Sequence, residues 1–261
     1  FLAWVQDDGR IRTNFHQDVV TGRLSSRDPA VHNAPPIMRP MIHAPEGYVL
    51  IIADYSQLEL RILAVMANER SMLAAFARGE DIHKFVASQM YGIPVDDVSK
   101  VQRQRAKTVA FGQIYGQGVK GLAAQMSVHK DDAEDLQRKF FKRFPRIRAF
   151  SKECWKTARE TGCVECAFGR RRRLTGYELY ESTGTDSDYR MAEMDRQAGN
   201  SRIQATGASM VAIAAQEIHV EIAERELDAA FLLFHHDALM LEAHEDQADE
   251  VSAVVKSGME R

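Results

Sequence analysis

Two short apolar runs lie far apart in the chain, and each leads to a carboxylate. Residues 48–53 (YVLIIA) end at Asp54, and residues 231–234 (FLLF) are followed by His235, His236 and Asp237. Both runs favour strands in composition and are too short for buried helices. Residues 239–242 (LMLE) return from the second run, which makes a hairpin with Asp237 at its tip. Patterning between the two carboxylates is mostly helical. Such a chain builds a small antiparallel sheet from distant segments, with a helical body inserted at about 70–200, and so belongs to the α+β class.

Apolar residues recur at helical spacing over 58–67, 71–78 and 82–91, where Gly92-Ile93-Pro94 stops the pattern. A further helix is predicted over 99–111, with Ser99 as its cap. Two more, 131–144 and 146–161, are separated by Pro145. The remaining helices fall at 188–200, 203–226 and 245–259, the last one acidic. Residues 163–168 are short and β-like, ahead of Gly169 and four arginines. Residues 10–36 read as loop with short strands at most, and 174–187 as an exposed loop.

Apolar residues make up 45% of the 261-residue chain, enough for a real core. No apolar run reaches the length of a membrane span. The opening FLAWVQDDGRIR lacks an initiator Met and the layout of a signal peptide, so the chain reads as an intracellular fragment. Cys163 and Cys166 are spaced like half a zinc site or a redox pair. No second pair and no nearby His completes four ligands, so these are read as incidental thiols. The net charge of −3 argues against a uniformly basic nucleic-acid binder. The distribution argues the other way: cations cluster at 100–107, 138–148 and 170–173, while acids collect after Glu217.

Arg103, Lys107, Phe111 and Tyr115 recur at intervals of four. Four residues advance about 400° along a helix, so the set shares one broad face. Arg103 and Lys107 suit a triphosphate, one by its fork and the other as a point charge. Phe111 and Tyr115 suit a sugar and a base. An ordinary amphipathic helix would bury such rings in a core, but cations on the same stripe argue against that. A lone Asp at a strand end is most simply a turn residue. Two in matching contexts suit a pair of divalent ions about 4 Å apart that clamp the oxygens of an in-line phosphoryl displacement. Mg²⁺ fits this role, with Mn²⁺ as a substitute.

Residues 54–61 (DYSQLELR), the R-x-x-x-K-x-x-x-F-x-x-x-Y-G helix at 103–116 and His236-Asp237 resemble motifs A, B and C of the family A DNA polymerases. The segments 21–26 (TGRLSS), 81–83 (DIH) and 168–171 (FGRR) resemble further motifs of that family, in the same order. The resemblance implies a right-hand architecture: palm in 1–69 and 196–261, fingers in 70–195. It implies Asp54, Asp237 and the Tyr55 carbonyl as metal ligands. Arg103, Lys107 and His83 would contact the triphosphate, with Lys107 as proton donor to the leaving pyrophosphate. Glu59 resembles the steric gate against a ribose 2′-OH. Tyr115 resembles the ring gating the templating position, and Phe111 the position that discriminates sugars. Gln57 joins this nucleotide-binding set. Arg23, Arg196, Asn200, Gln204 and His236 resemble primer–template contacts.

The implied activity is template-directed DNA synthesis in replication or repair, by a monomer acting on primer–template DNA and deoxynucleoside triphosphates. Two departures bear on it. Ala238 stands where the family usually follows His-Asp with Glu, which predicts an active but weakened site. No thumb segment or proofreading exonuclease motif occurs in these residues, which predicts poor grip on duplex and distributive synthesis. A single-subunit RNA polymerase is disfavoured by Glu59 and Phe111. A non-catalytic DNA-binding remnant is disfavoured by the retained Asp54, Asp237, Arg103 and Lys107.

Overall fold

The computed structural model describes residues 2–34, 37, 41–174 and 187–261. The loop expected over 174–187 falls almost wholly outside them. The chain divides into two compact units, Phe1–Ser56 with Gly207–Arg261, and Gln57–Thr206. The α+β class expected from the sequence is what the described elements form.

In the first unit a small hairpin pairs β1 (Asn14–His16) with β2 (Ser25–Arg27). The main sheet has three antiparallel strands in the order β3-β7-β6, with β3 at Tyr48–Asp54, β6 at Ala229–His235 and β7 at Ala238–His244. Strand side chains alternate between faces. Leu239, Leu241 and Ala243 of β7 are fully buried, as are Val251, Val254 and Val255 of helix α9 (Ala248–Glu260), which packs on β3 and β7. The opposite face carries Asp54 and Ile52, the latter 60% exposed. A 3₁₀ turn, Glu245–Gln247, precedes α9, so that helix starts later than its pattern predicts.

The second unit is mainly helical, with α1 (Leu58–Met66), α2 (Arg70–Ala77), α3 (Ile82–Tyr91), α4 (Lys100–Ile114), α5 (Val119–Met126), α6 (Lys130–Arg143) and α7 (Pro145–Thr161). Asp81 caps α3 by accepting from the His83 and Lys84 amides. Ser99 and Gln102 form a capping box at α4. Pro145 occupies the first turn of α7, where its missing N–H costs nothing. Buried Leu60, Leu63, Met72, Ile82, Val109, Ile114, Phe140, Phe144 and Ile147 make the core. Helix α5 has no counterpart among the elements predicted from sequence.

β4 (Cys163–Glu165) and β5 (Arg171–Arg173) form a hairpin, so the arginine run is partly a strand. The pattern over 188–226 predicts two helices, but α8 (Ser187–Glu224) is continuous. Ser201 and Thr206 cause no break, because their hydroxyls bond the carbonyls of Gln197 and Arg202 one turn back. Cys154, Cys163 and Cys166 are free thiols. Among the described residues no helix is long and apolar enough to cross a membrane.

Candidate active site

Asp54 is the last residue of β3 and lies opposite Ala238, the first residue of β7. The Tyr55 amide donates to the Asp237 carbonyl at 3.2 Å, extending the pairing one step past the strands. The register therefore brings Asp54 and Asp237 to the ends of neighbouring strands, although they lie far apart in the chain. Asp237 sits in the two-residue turn between β6 and β7, after His236, whose φ of 56° lies in the left-handed region. Arg23 Nη2 lies 3.5 Å from Asp237 Oδ1 and offsets part of its charge. The rings of His235 and His236 are 4.5 Å apart, and that of His32 is 5.8 and 6.3 Å from them.

Asp54 and Asp237, with the Tyr55 carbonyl, could offer an all-oxygen donor set, which is the chemistry Mg²⁺ takes. Asp54 is exposed and Asp237 half-buried, so water can complete the coordination. Among the described residues no three His, Cys, Asp or Glu side chains gather as a metal cluster. The donor set fits a hydrated Mg²⁺ and does not fit a closed all-protein cage.

In the helical unit, Arg103 and Lys107 lie on the outer side of α4, while Ala106, Val109 and Ala110 are buried. Lys107 Nζ stands 5.8 Å from the centroid of the Phe111 ring. Tyr115 caps the C-terminus of α4 and is 42% exposed. Its hydroxyl donates to Glu59 Oε2 at 3.0 Å, and Glu59 is only 6% exposed. Gly116 follows with φ of 60°; a Cβ there would meet the Arg196 Cα at 2.8 Å, so only glycine fits. Gly112 is crowded by side chains instead, since a Cβ there would fall 2.5 Å from Leu122 Cδ2.

His83 is buried, and its ring lies 5.8 Å from that of Phe111. Burial pushes its pKa down to about 4, helped by the charges of Arg103 and Lys107. Its Nδ1 is buried without a partner among the described residues. Arg103 Nε donates to Asp81 Oδ2 at 2.9 Å. Burial raises the Asp81 pKa, but the amides of Lys84 and His83 and the Arg103 guanidinium outweigh that and hold it below the usual range. Sequence reasoning placed Asp81 in a motif but missed this pairing; the signal was its position as the cap of α3.

Gln57 is the N-cap of α1 at φ 58°, with its Oε1 buried and unpartnered among the described residues. Arg196, Asn200 and Gln204 follow one another at i,i+4 steps along α8, all half-buried. Asn200 Oδ1 is also buried without a partner among the described residues. The expected site residues thus form two groups. Asp54, Tyr55, Asp237, Arg23 and His236 lie in the sheet unit; Gln57, Glu59, His83, Arg103, Lys107, Phe111, Tyr115, Arg196, Asn200 and Gln204 lie in the helical unit.

The family model described as DNA polymerase family A matches residues 1–261. The chain belongs to DNA polymerase family A. It is 39% identical over 250 residues to a DNA polymerase I of Pseudomonas aeruginosa, covering 93% of this chain and 27% of that protein. It is 35% identical over 260 residues to a thermostable DNA polymerase I of Thermus thermophilus, covering 97% of this chain and 30% of that one. The chain thus spans less than a third of the length of these family A relatives. Its fold matches, with a TM-score of 0.92 and 33% identity, the POL domain of Pol1 from M. smegmatis in complex with DNA primer-template and dNTP. That match covers 99% of this chain and 46% of the M. smegmatis chain. The fold is therefore the α+β fold of a family A polymerase domain.

Proposed function

We propose that this chain is the catalytic region of a DNA-directed DNA polymerase that acts in replication or repair. In this reading it extends a primer 3′-OH with deoxynucleotides in the order a template dictates. Membership of family A supports this, and one observation carries it furthest: the β3–β7 register holds Asp54 and Asp237 at adjacent strand ends. Residues 1–69 and 196–261 are read as palm and 70–195 as fingers.

Asp54, Asp237 and the Tyr55 carbonyl would hold two Mg²⁺ ions, or Mn²⁺ in their place. Such ions supply charge neutralisation at the phosphoryl group and lower the pKa of a bound hydroxyl. The remaining steps belong to this chain's own residues. Arg103 and Lys107 bind the triphosphate, and Lys107 donates a proton to the leaving pyrophosphate. Burial, with Arg103 and Lys107, pushes the His83 pKa down to about 4 in the chain alone, and its ring offers the triphosphate a hydrogen bond. Glu59, held by Tyr115, fills the space a ribose 2′-OH would need. Phe111 packs against the sugar. Arg23, Arg196, Asn200, Gln204 and His236 contact the primer–template. Catalysis is mostly positioning and electrostatic stabilisation. The protein acts as an intracellular monomer.

Primer extension tests this reading: a primed template, four deoxynucleotides and Mg²⁺, with Asp54→Ala and Asp237→Ala alongside. Extension by the native chain that both variants abolish is the expected result. Extension that persists in either variant overturns the two-carboxylate assignment. DNA binding without any extension favours the reading as a non-catalytic remnant.

A further inference from the structure

The arginine run at 170–173 has no part in the chemistry above, yet the fold spends many bonds on it. In the β4–β5 hairpin, Val164 and Arg172 point inward while Glu165, Arg171 and Arg173 point outward. Arg172 donates to Ser201 Oγ and Gln197 Oε1, both at 2.7 Å. Arg202 Nε donates to the Glu165 carbonyl at 3.1 Å, and the Ala167 amide donates to Thr206 Oγ1 at 3.1 Å. Four residues of α8 therefore clamp the hairpin along its length. The turn itself is closed by bonds from the Gly169 amide to the Cys166 carbonyl and from the Cys166 amide to the Arg170 carbonyl.

What this rigid support presents is an exposed ring. Phe168, at the apex, is 51% exposed. Arg170 beside it and Arg173 on the outward face are exposed, with no side-chain partner among the described residues. Arg171, by contrast, is neutralised by Glu165 at 2.8 Å. Between Cys163 and Arg173 there are four arginines and one acidic residue. A clamped hairpin that leaves an aromatic face and two guanidinium groups in solvent suits a ligand with flat apolar faces and regular negative charge.

We propose that the apex of this hairpin, Phe168 with Arg170 and Arg173, is a docking site for an unpaired strand of nucleic acid. Phe168 stacks on an exposed base and the arginines take flanking phosphates. A duplex does not fit, because its base faces are already stacked on one another. This inference deepens the polymerase reading by giving the strand beyond the paired region a place on the protein, and it rests on that reading for its biological meaning.

The test is equilibrium binding of the whole chain to three labelled DNAs: a blunt primed duplex, the same duplex with a 5′ template overhang, and a single-stranded oligothymidylate. Phe168→Ala is expected to weaken binding to the overhang and the single strand about ten-fold. Blunt-duplex binding stays as it was, and Phe168→Trp retains native affinity. Arg170→Ala lowers the steepness of the salt dependence on single strands by about 0.7 for each phosphate no longer neutralised. An unchanged thermal midpoint in Phe168→Ala shows that weaker binding is not unfolding. Native affinity of Phe168→Ala for the overhang, an equal loss on blunt duplex, or no single-strand binding by the native chain each overturns the proposal. If overhang binding depends on Phe168 but extension fails, the docking site stands and the polymerase reading falls; the reverse pattern removes the docking site alone.

Discussion

The Tyr115 hydroxyl donates to Glu59 Oε2 at 3.0 Å, joining the residue just past α4 to the first turn of α1 across 56 positions of sequence. Glu59 is buried while Tyr115 is partly exposed, so the bond ties the buried carboxylate to a residue nearer the surface. A double-mutant cycle on urea unfolding with Tyr115→Phe and Glu59→Gln should give a coupling of about 1 kcal/mol. Strictly additive losses would mean the bond is idle. Glu59→Ala should also raise ribonucleotide use relative to deoxynucleotide use in extension; an unchanged ratio removes Glu59 as the sugar gate.

Asp81 serves two groups at once, the α3 amides and Arg103. Asp81→Ala removes both and should cost about 1 to 2 kcal/mol of stability. Asp81→Asn keeps an acceptor for the cap while dropping the charge, so it should cost clearly less. Its main effect should be a changed KM for the deoxynucleotide, since Arg103 loses its partner. Equal stability losses in the two variants would show that the charge, not the cap, is what α3 needs.

His83 links stability to pH. Its pKa is pushed down to about 4 from the ordinary 6.5, chiefly by burial, then by Arg103 and Lys107, with Asp81 opposing. The unfolded chain takes up this proton more readily than the folded one. Stability is therefore complete above pH 6.5 and is lost as pH falls towards 4. Between neutral pH and about pH 5 the loss from this group should be about 2 kcal/mol. Measured against His83→Gln, the native chain should lose the extra stability in that window; parallel profiles would show that His83 is not responsible.

Gly116 and Gly118 separate a crowded glycine from a free one. Gly116→Ala must both adopt φ of 60° and displace the Arg196 backbone, whereas a Cβ at Gly118 meets nothing within 4 Å. Gly116→Ala should cost about 1 to 3 kcal/mol and reduce extension, because it shifts the residue beside Tyr115. Gly118→Ala should be near neutral in thermal unfolding. Similar midpoints for both variants would show that the α4 terminus tolerates movement.

Ala238 stands opposite Asp54 and next to Asp237. Ala238→Glu adds a third carboxylate, so the Mg²⁺ concentration for half-maximal extension should fall. No change in rate or metal requirement would show the position to be indifferent.

The elements that carry chemistry were legible because their signals are local. β3 ends at Asp54 as its apolar run does, and Ser99 caps α4 through its own side chain. Other features depend on distant partners. Whether Asp54 and Asp237 meet rests on the β3–β7 register, which no local pattern specifies. Helix α5 escaped notice because it is eight residues long and contains Gly121, yet packing of Leu122 and Ala123 against Ala133 of α6 secures it. The continuity of α8 through Asn200 and Ser201 was hidden because polar side chains there imply a break, and the hydroxyl of Ser201 instead bonds within the helix and to Arg172. A strand of three consecutive arginines runs against composition; Val164 beneath and α8 beside it are what hold it.

The pairing of β3 with β7 also sets a timetable. β3 leaves the ribosome with its hydrogen-bonding edge open, and its neighbour in the sheet follows some 184 residues later, counted from Asp54 to Ala238. At typical synthesis rates that interval is about 10 to 40 s. For that time the nascent chain carries a bare, strongly apolar YVLIIA segment able to pair with any other open strand. Both carboxylates can come together only at the end of it, and interruption of translation within the helical unit leaves chains whose β3 edge stays bare.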